Sequence, residues 1–250
     1  MKINLKVSFV IFSVSCTESD NYRKLSDKKL SVLLCKENEY MLPTKVITNP
    51  SKIDDNIVTY VKELTGIDNV YSEQLYTFSS VCNEVLEINQ TYISLIDQSK
   101  VISLNDNCSW FNIDLEEGDS GYTCTLNSDS EKVDFMVSKK LKSHTTDRYS
   151  FREERSDNLY HNHSVYLISG LERLRNKINY TDIVFNMMPP LFTLKNLQHV
   201  FELVLNKKLL DPAFRRTIAD KVEPTNQIES GKGHRPSVLF KHKLRGNNNE

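Results

Sequence analysis

The chain has 250 residues, 39% of them hydrophobic and 26% charged, which is apolar material enough for one large or two ordinary domains and excludes a globally disordered polyelectrolyte. The formal net charge of −1 hides an asymmetry: residues 1–140 carry 14 basic and 21 acidic side chains, residues 141–189 carry 7 and 6, and residues 190–250 carry 11 and 6. An acidic front and a basic back point to two units with different partners, the back one suited to a polyanion. No run approaches the ~18 apolar residues of a membrane-spanning helix, so no membrane partner is expected.

At the N-terminus, Lys2 and Lys6 precede VSFVIFSVSC, which superficially resembles a signal peptide ending at Cys16. Its apolar core is short and is interrupted by Ser13, so the expectation is a buried first strand over residues 7–14 in a cytoplasmic protein. The five cysteines (Cys16, Cys35, Cys82, Cys108, Cys124) form no CxxC pair; reduced thiols are expected, with neither a disulfide frame nor a zinc site. Strand-like runs cover residues 6–15, 30–35 and 45–48, with the polar TESDNYRKLSDKK between the first two.

The period then changes. Ile53, Ile57, Val61 and Leu64 follow one face of a helix. Ser51 suits its N-cap, Asp54 and Asp55 its first turn, and Gly66 its left-handed stop. Further strand-like runs follow at 70–78, 90–95, 111–113, 121–126 and 132–137. The first 150 or so residues are therefore a mixed α/β unit.

From about Arg155 the texture turns helical. HSVYLISGLERLRNKI places Val165, Ile168, Leu171, Leu174 and Ile178 at helical spacing around one internal glycine, Gly170. A short apolar piece, 182–188, ends at Pro189-Pro190. FTLKNLQHVFELVLNKK has Thr193 as N-cap, a stripe of Leu194, Leu197, Phe201 and Val204, and Asn206 as stop. In DPAFRRTIAD, Asp211 is expected to cap, Pro212 to take the first helical position, and Phe214 and Ile218 to face inward. That leaves Arg215 and Arg216 outward. VEPTNQIESGKGHRPSVLFKHK reads as a β-hairpin with a basic tip, and residues 246–250 as a disordered tail.

Two helices and a basic-tipped hairpin follow the order of a winged helix-turn-helix. Arg215 and Arg216 would then meet bases and phosphates, and Lys232, His234 and Arg235 at the tip would reach the backbone or minor groove. A helical protein-interaction module with a solvated basic face is the alternative.

FTLKNLQ, DPAFRR and GHRP are the markers by which residues 171–243 closely resemble the winged helix of Nudix-related transcriptional regulators. Some of those repress NAD-salvage genes; relatives sense pentose sugars. The resemblance implies an α+β chain: a Nudix-like mixed-sheet α/β/α sandwich at 1–155, then a linker helix and winged helix at 156–245. It also implies a homodimer on a palindromic DNA operator and a small-molecule effector, either an ADP-ribose-like nucleotide or a sugar.

The resemblance also gives a frame for TYVKELTGI. A Nudix hydrolase carries the box G-x5-E-x7-R-E-U-x-E-E-x-G-U, with U aliphatic. Aligned on Thr65-Gly66-Ile67, the opening glycine is Lys45, the first glutamate Ser51, the Arg-Glu pair Thr59-Tyr60 and the Glu-Glu pair Glu63-Leu64. Magnesium on a diphosphate needs several oxygen ligands, and one glutamate does not supply them. The expectation is a sensor with no catalytic residue, no metal and no cofactor; an active ADP-ribose hydrolase is the alternative. Lys45, Tyr60, Glu63 and Tyr76 are the candidate effector-binding residues, although Glu63 reads more readily as a solvated helix residue and the tyrosines as core aromatics.

Overall fold

A computed structural model describes residues 2–17, 27–48, 53–82, 84–143, 148–229 and 236–243. The expectations for Ser51, for the wing-tip residues Lys232, His234 and Arg235, and for the 246–250 tail lie outside the described residues, as do the side chains of Asp54 and Asp55.

The apolar N-terminal run forms β1 (Lys2–Thr17), a central strand. Successive side chains point to opposite faces: Val10 and Phe12 enter one core layer, and Val7, Phe9 and Ile11 the other. Around it lie β2 (Asp27–Lys36), β3 (Tyr40–Met41), β4 (Thr44–Val46), β5 (Tyr71–Cys82) and β6 (Val85–Leu95). Beyond them come β7 (Cys108–Gly118), β8 (Gly121–Asn127), β9 (Lys132–Ser143) and β10 (Arg148–Asp157). The main path runs β10-β9-β8-β7-β2-β1-β6-β5, with β3 on β2 and β4 on β1. β1 and β6 run parallel and the other pairs antiparallel, so the sheet is mixed.

Helix α1 (Ile53–Thr65) covers one face, burying Ile57, Val61 and Leu64. Gly66 ends it at φ 70°, its amide donating to the Lys62 carbonyl at 2.8 Å. Helix α2 (His163–Lys177) covers the other face. A Cβ on Gly170 would stand 3.1 Å from Val10 Cγ1, so glycine is what lets this helix approach β1. The helix assigned to the back unit on sequence is thus packed on the front unit's sheet.

The three-layer sandwich is followed by a 3-10 turn at Ile183–Met187, α3 (Leu194–Leu205), α4 (Asp211–Ile218) and the antiparallel hairpin β11 (Val222–Glu229) and β12 (Ser237–His242). Thr193 caps α3 by accepting from the Asn196 amide at 3.1 Å, and Asn206 ends it in the left-handed region. Among the described residues no helix is long and apolar enough to cross a membrane.

Three expectations need correction. Asp211 is the first helical residue of α4, not its cap; Leu210 holds the cap position, and the Asp211 carboxylate accepts from Gln198 Nε2 at 2.9 Å. β10 has no counterpart in the sequence expectations, because RYSFREERSD is a charged edge strand with little apolar alternation. The cysteines are not all reduced: β2–β7 register sets Cys35 opposite Cys108, 73 residues apart in the chain, and the two form a disulfide. Cys124 is a buried free thiol whose pKa burial drives upward.

Candidate functional site

Among its described side chains, the box helix carries packing groups at two glutamate positions of the box. Leu64, at a glutamate position of the box, is 3% exposed in the core under α1. Tyr60, at another, is half-buried and donates to the Thr44 carbonyl at 3.2 Å. Burial raises its pKa, and the charges of Glu63 and Glu37 add to that. Glu63 points outward and pairs with Lys45 at 3.3 Å, and the Lys45 ammonium sits 5.1 Å over the Tyr60 ring. The structure therefore brings Lys45, Tyr60 and Glu63 together, on the α1 face. One carboxylate already paired to a lysine is a poor magnesium site.

Tyr76 is elsewhere. It lies on β5, about half exposed, with the Arg173 guanidinium 5.1 Å from its ring centroid. Both line a cleft of about 1100 Å³ between the sheet and α2. Its polar groups come from distant parts of the chain: Lys6 on β1, Asn89 on β6, Arg152 on β10, and His163 and Tyr166 on α2. Sequence periodicity could not find them, since only strand pairing makes them neighbours.

The cleft's polar groups are held in place. His163 is buried, and its Nδ1 accepts from the Leu42 amide at 2.9 Å, so the neutral ring carries its proton on Nε2. Burial lowers its pKa to about 3, with the charges of Lys6 and His161 adding to the effect. Asn89 Nδ2 donates to Ser8 Oγ at 2.9 Å, leaving the buried Oδ1 as an acceptor without a partner among the described residues. Such an atom suits a ligand hydroxyl or amine. Burial pulls the Lys6 pKa down, but the Glu87 carboxylate at 2.9 Å and the neighbouring Tyr160 outweigh it and raise the value. Glu153 accepts from the Asn162 amide at 3.1 Å and from Ser164, fixing the start of α2 at the cleft mouth.

The second candidate surface is the helix-turn-helix. Phe214 and Ile218 anchor α4 on the core and Phe214 meets Phe201 edge-on at 5.2 Å, which leaves Arg215 and Arg216 exposed. Phe192 and Phe240 exchange backbone hydrogen bonds at 3.0 and 2.8 Å, tying the entrance of α3 to the wing. Arg175 reaches across the joint between the two parts. Its Nε donates to the Val204 carbonyl of α3 at 2.9 Å, while Nη1 meets Glu117 on β7 at 3.1 Å.

The chain joins a mixed-sheet sandwich with a box-type helix to a winged helix, and comparison with known proteins finds likenesses to both parts. Residues 184–242 match the NrtR DNA-binding winged helix domain. The ADPR responsive transcriptional repressor NtrR of Acinetobacter baylyi is 39% identical over 84 residues, 33% of each chain, so the match spans a third of that repressor's length. Two solved structures share the fold across nearly the whole chain. A MutT/nudix family protein from Enterococcus faecalis has a TM-score of 0.67 at 20% identity, covering 97% of this chain and 87% of its own. Shewanella oneidensis NrtR complexed with a 27mer DNA has a TM-score of 0.64 at 21% identity, covering 96% and 93%.

Proposed function

We propose that the protein is a ligand-responsive, DNA-binding transcriptional regulator whose Nudix-like domain senses a small molecule without hydrolysing it. One observation carries this: an NrtR-type winged helix follows a box helix whose glutamate positions hold a hydrogen-bonded tyrosine, a lysine-paired glutamate and a buried leucine. The effector is an ADP-ribose-like nucleotide or a sugar, held in the cleft of Asn89, His163 and Tyr76; its hydroxyls would meet the vacant Asn89 acceptor. Arg215 and Arg216 contact DNA from α4, and Lys232, His234 and Arg235 from the wing tip. The protein acts in the cytoplasm as a homodimer on a palindromic operator, so that two α4 helices read two half-sites. Residues 1–155 form the sensing unit and 156–245 the reading unit, with α2 as the piece that packs on one and leads into the other.

The test is a gel shift with the DNA upstream of the protein's own gene. Affinity should fall steeply with salt, because phosphate contacts release counterions. Replacing both Arg215 and Arg216 by Ala should weaken binding at least tenfold with the melting temperature unchanged, at about 1–3 kcal/mol for each base-contacting arginine. Unchanged affinity would remove the recognition-helix assignment. Magnesium-dependent release of AMP from ADP-ribose by the purified protein would replace the sensor with a hydrolase.

A further inference from the structure

A second cavity, about 590 Å³, opens between the sheet and α3. That volume suits a small ligand and is far too small for a duplex. One wall carries Lys29 at the start of β2 and Asn112 and Asp114 on β7. The other carries Lys207 and Lys208 just beyond α3, and Arg175 of α2 also lines it.

The charges in this cavity differ in how they are already met. Arg175 is answered by Glu117 and Glu172, both at 3.1 Å, and Lys208 by Glu202 at 3.0 Å. Lys29 and Lys207 are exposed, and neither forms an ion pair among the described residues. Asn112 adds an oriented donor: its Oδ1 accepts from Ser15 and Ser31 hydroxyls at 2.7 and 2.9 Å, which leaves the Nδ2 hydrogens as the available end. In the effector cleft Lys6 is paired with Glu87 and Arg173 with Glu73, Arg152 forms no ion pair among the described residues, and Glu37, Glu39 and Glu172 line the walls as well, against Asp114 and Glu202 in the second cavity.

We propose that this interdomain cleft is a second ligand site, taking a small molecule that carries two or more phosphate groups. A single anionic charge would satisfy one wall; Lys29 and Lys207 lie on opposite walls, so the ligand must present anionic groups at both ends. Bound there, it would strap α3 to the sheet beside the direct bonds already present, Arg175 to Val204 and Asn206 Nδ2 to the Leu115 carbonyl at 3.3 Å. The site needs neither DNA nor the effector.

Inorganic tripolyphosphate with the full chain provides the test, read by thermal shift and by calorimetry, with sodium chloride at matched ionic strength as the reference. The expected result is a saturable rise in melting temperature beyond the salt reference, since a ligand that binds only the folded state stabilises it. The Lys29→Ala/Lys207→Ala double variant should lose at least tenfold in affinity. Asn112→Asp, which keeps the acceptor for both serines but adds a negative charge, should lose a comparable factor. Arg152→Ala, in the effector cleft, should retain the affinity. A rise no greater than with salt, one that survives the double lysine change, or one abolished by Arg152→Ala would overturn the proposal. Each of those outcomes leaves the regulator reading untouched, because neither DNA nor effector is present.

Discussion

Helices α1 and α4 are built alike and differ on one side only. Each is short, and each buries a narrow apolar stripe: Ile57, Val61 and Leu64 in α1, Phe214 and Ile218 in α4. On the solvent side they diverge. α4 presents Arg215 and Arg216, whereas α1 presents Glu63 already tied to Lys45, beside a tyrosine turned onto the backbone. The inward side of a helix reports what the fold needs; the outward side reports what the helix does for another molecule. That difference fits the proposed division, in which α1 serves as architecture and α4 reads DNA.

The largest expected effects test the shared inward side. Leu64→Ala should destabilise the protein by roughly 2–5 kcal/mol, and Phe214→Ala by roughly 3–5 kcal/mol, from lost burial plus the cavity left behind. Chemical denaturation measures both; a loss below ~1 kcal/mol at Leu64 would mean that α1 is not held by its stripe.

A smaller effect sharpens the division between stability and binding. His163 is buried with its folded pKa lowered to about 3 by burial, against an ordinary value of 6.5. Between those values the unfolded chain binds the extra proton, so stability should fall as pH drops below 6.5 and be unaffected by this group above it. The slope approaches ~1.4 kcal/mol per pH unit for one proton. His163→Gln, which keeps an acceptor for the Leu42 amide, should flatten that slope; a slope identical in the variant would exclude His163 as its source.

The smallest effect falls on the outward side of α1. Glu63→Gln breaks an exposed pair and should change stability by less than ~0.5 kcal/mol. It should also leave magnesium affinity unchanged by calorimetry. A measurable loss of magnesium binding would restore a metal role to the box helix and break the contrast with α4.

The local elements were legible in sequence where side-chain pattern and caps agreed. The Gly66 stop, the Thr193 cap, the Asn206 stop and the Phe214–Ile218 face all stand where the 3.6-residue period and capping chemistry put them. So did the substitution of the box glutamates, which is a statement about residue types alone. Asp211 missed by one position, because a cap depends on backbone geometry that the residue type only favours. Of the four candidate effector residues, Lys45, Tyr60 and Glu63 cluster because one helix and the strand before it carry them, while Tyr76 lies apart, in the cleft under α2.

By itself, then, the sequence determined the order of helices and hairpin, the inward faces and the outward arginines. Each of those follows from interactions within a turn or two of the chain. Tertiary structure alone decided that β1 pairs with β6 some 80 residues on, that Cys35 faces Cys108, that α2 lies against β1 at Gly170, and that Lys6, Asn89, Arg152 and His163 share one cleft. Strand register is set by which buried faces fit together across the whole sheet, and no local window of residues contains that information.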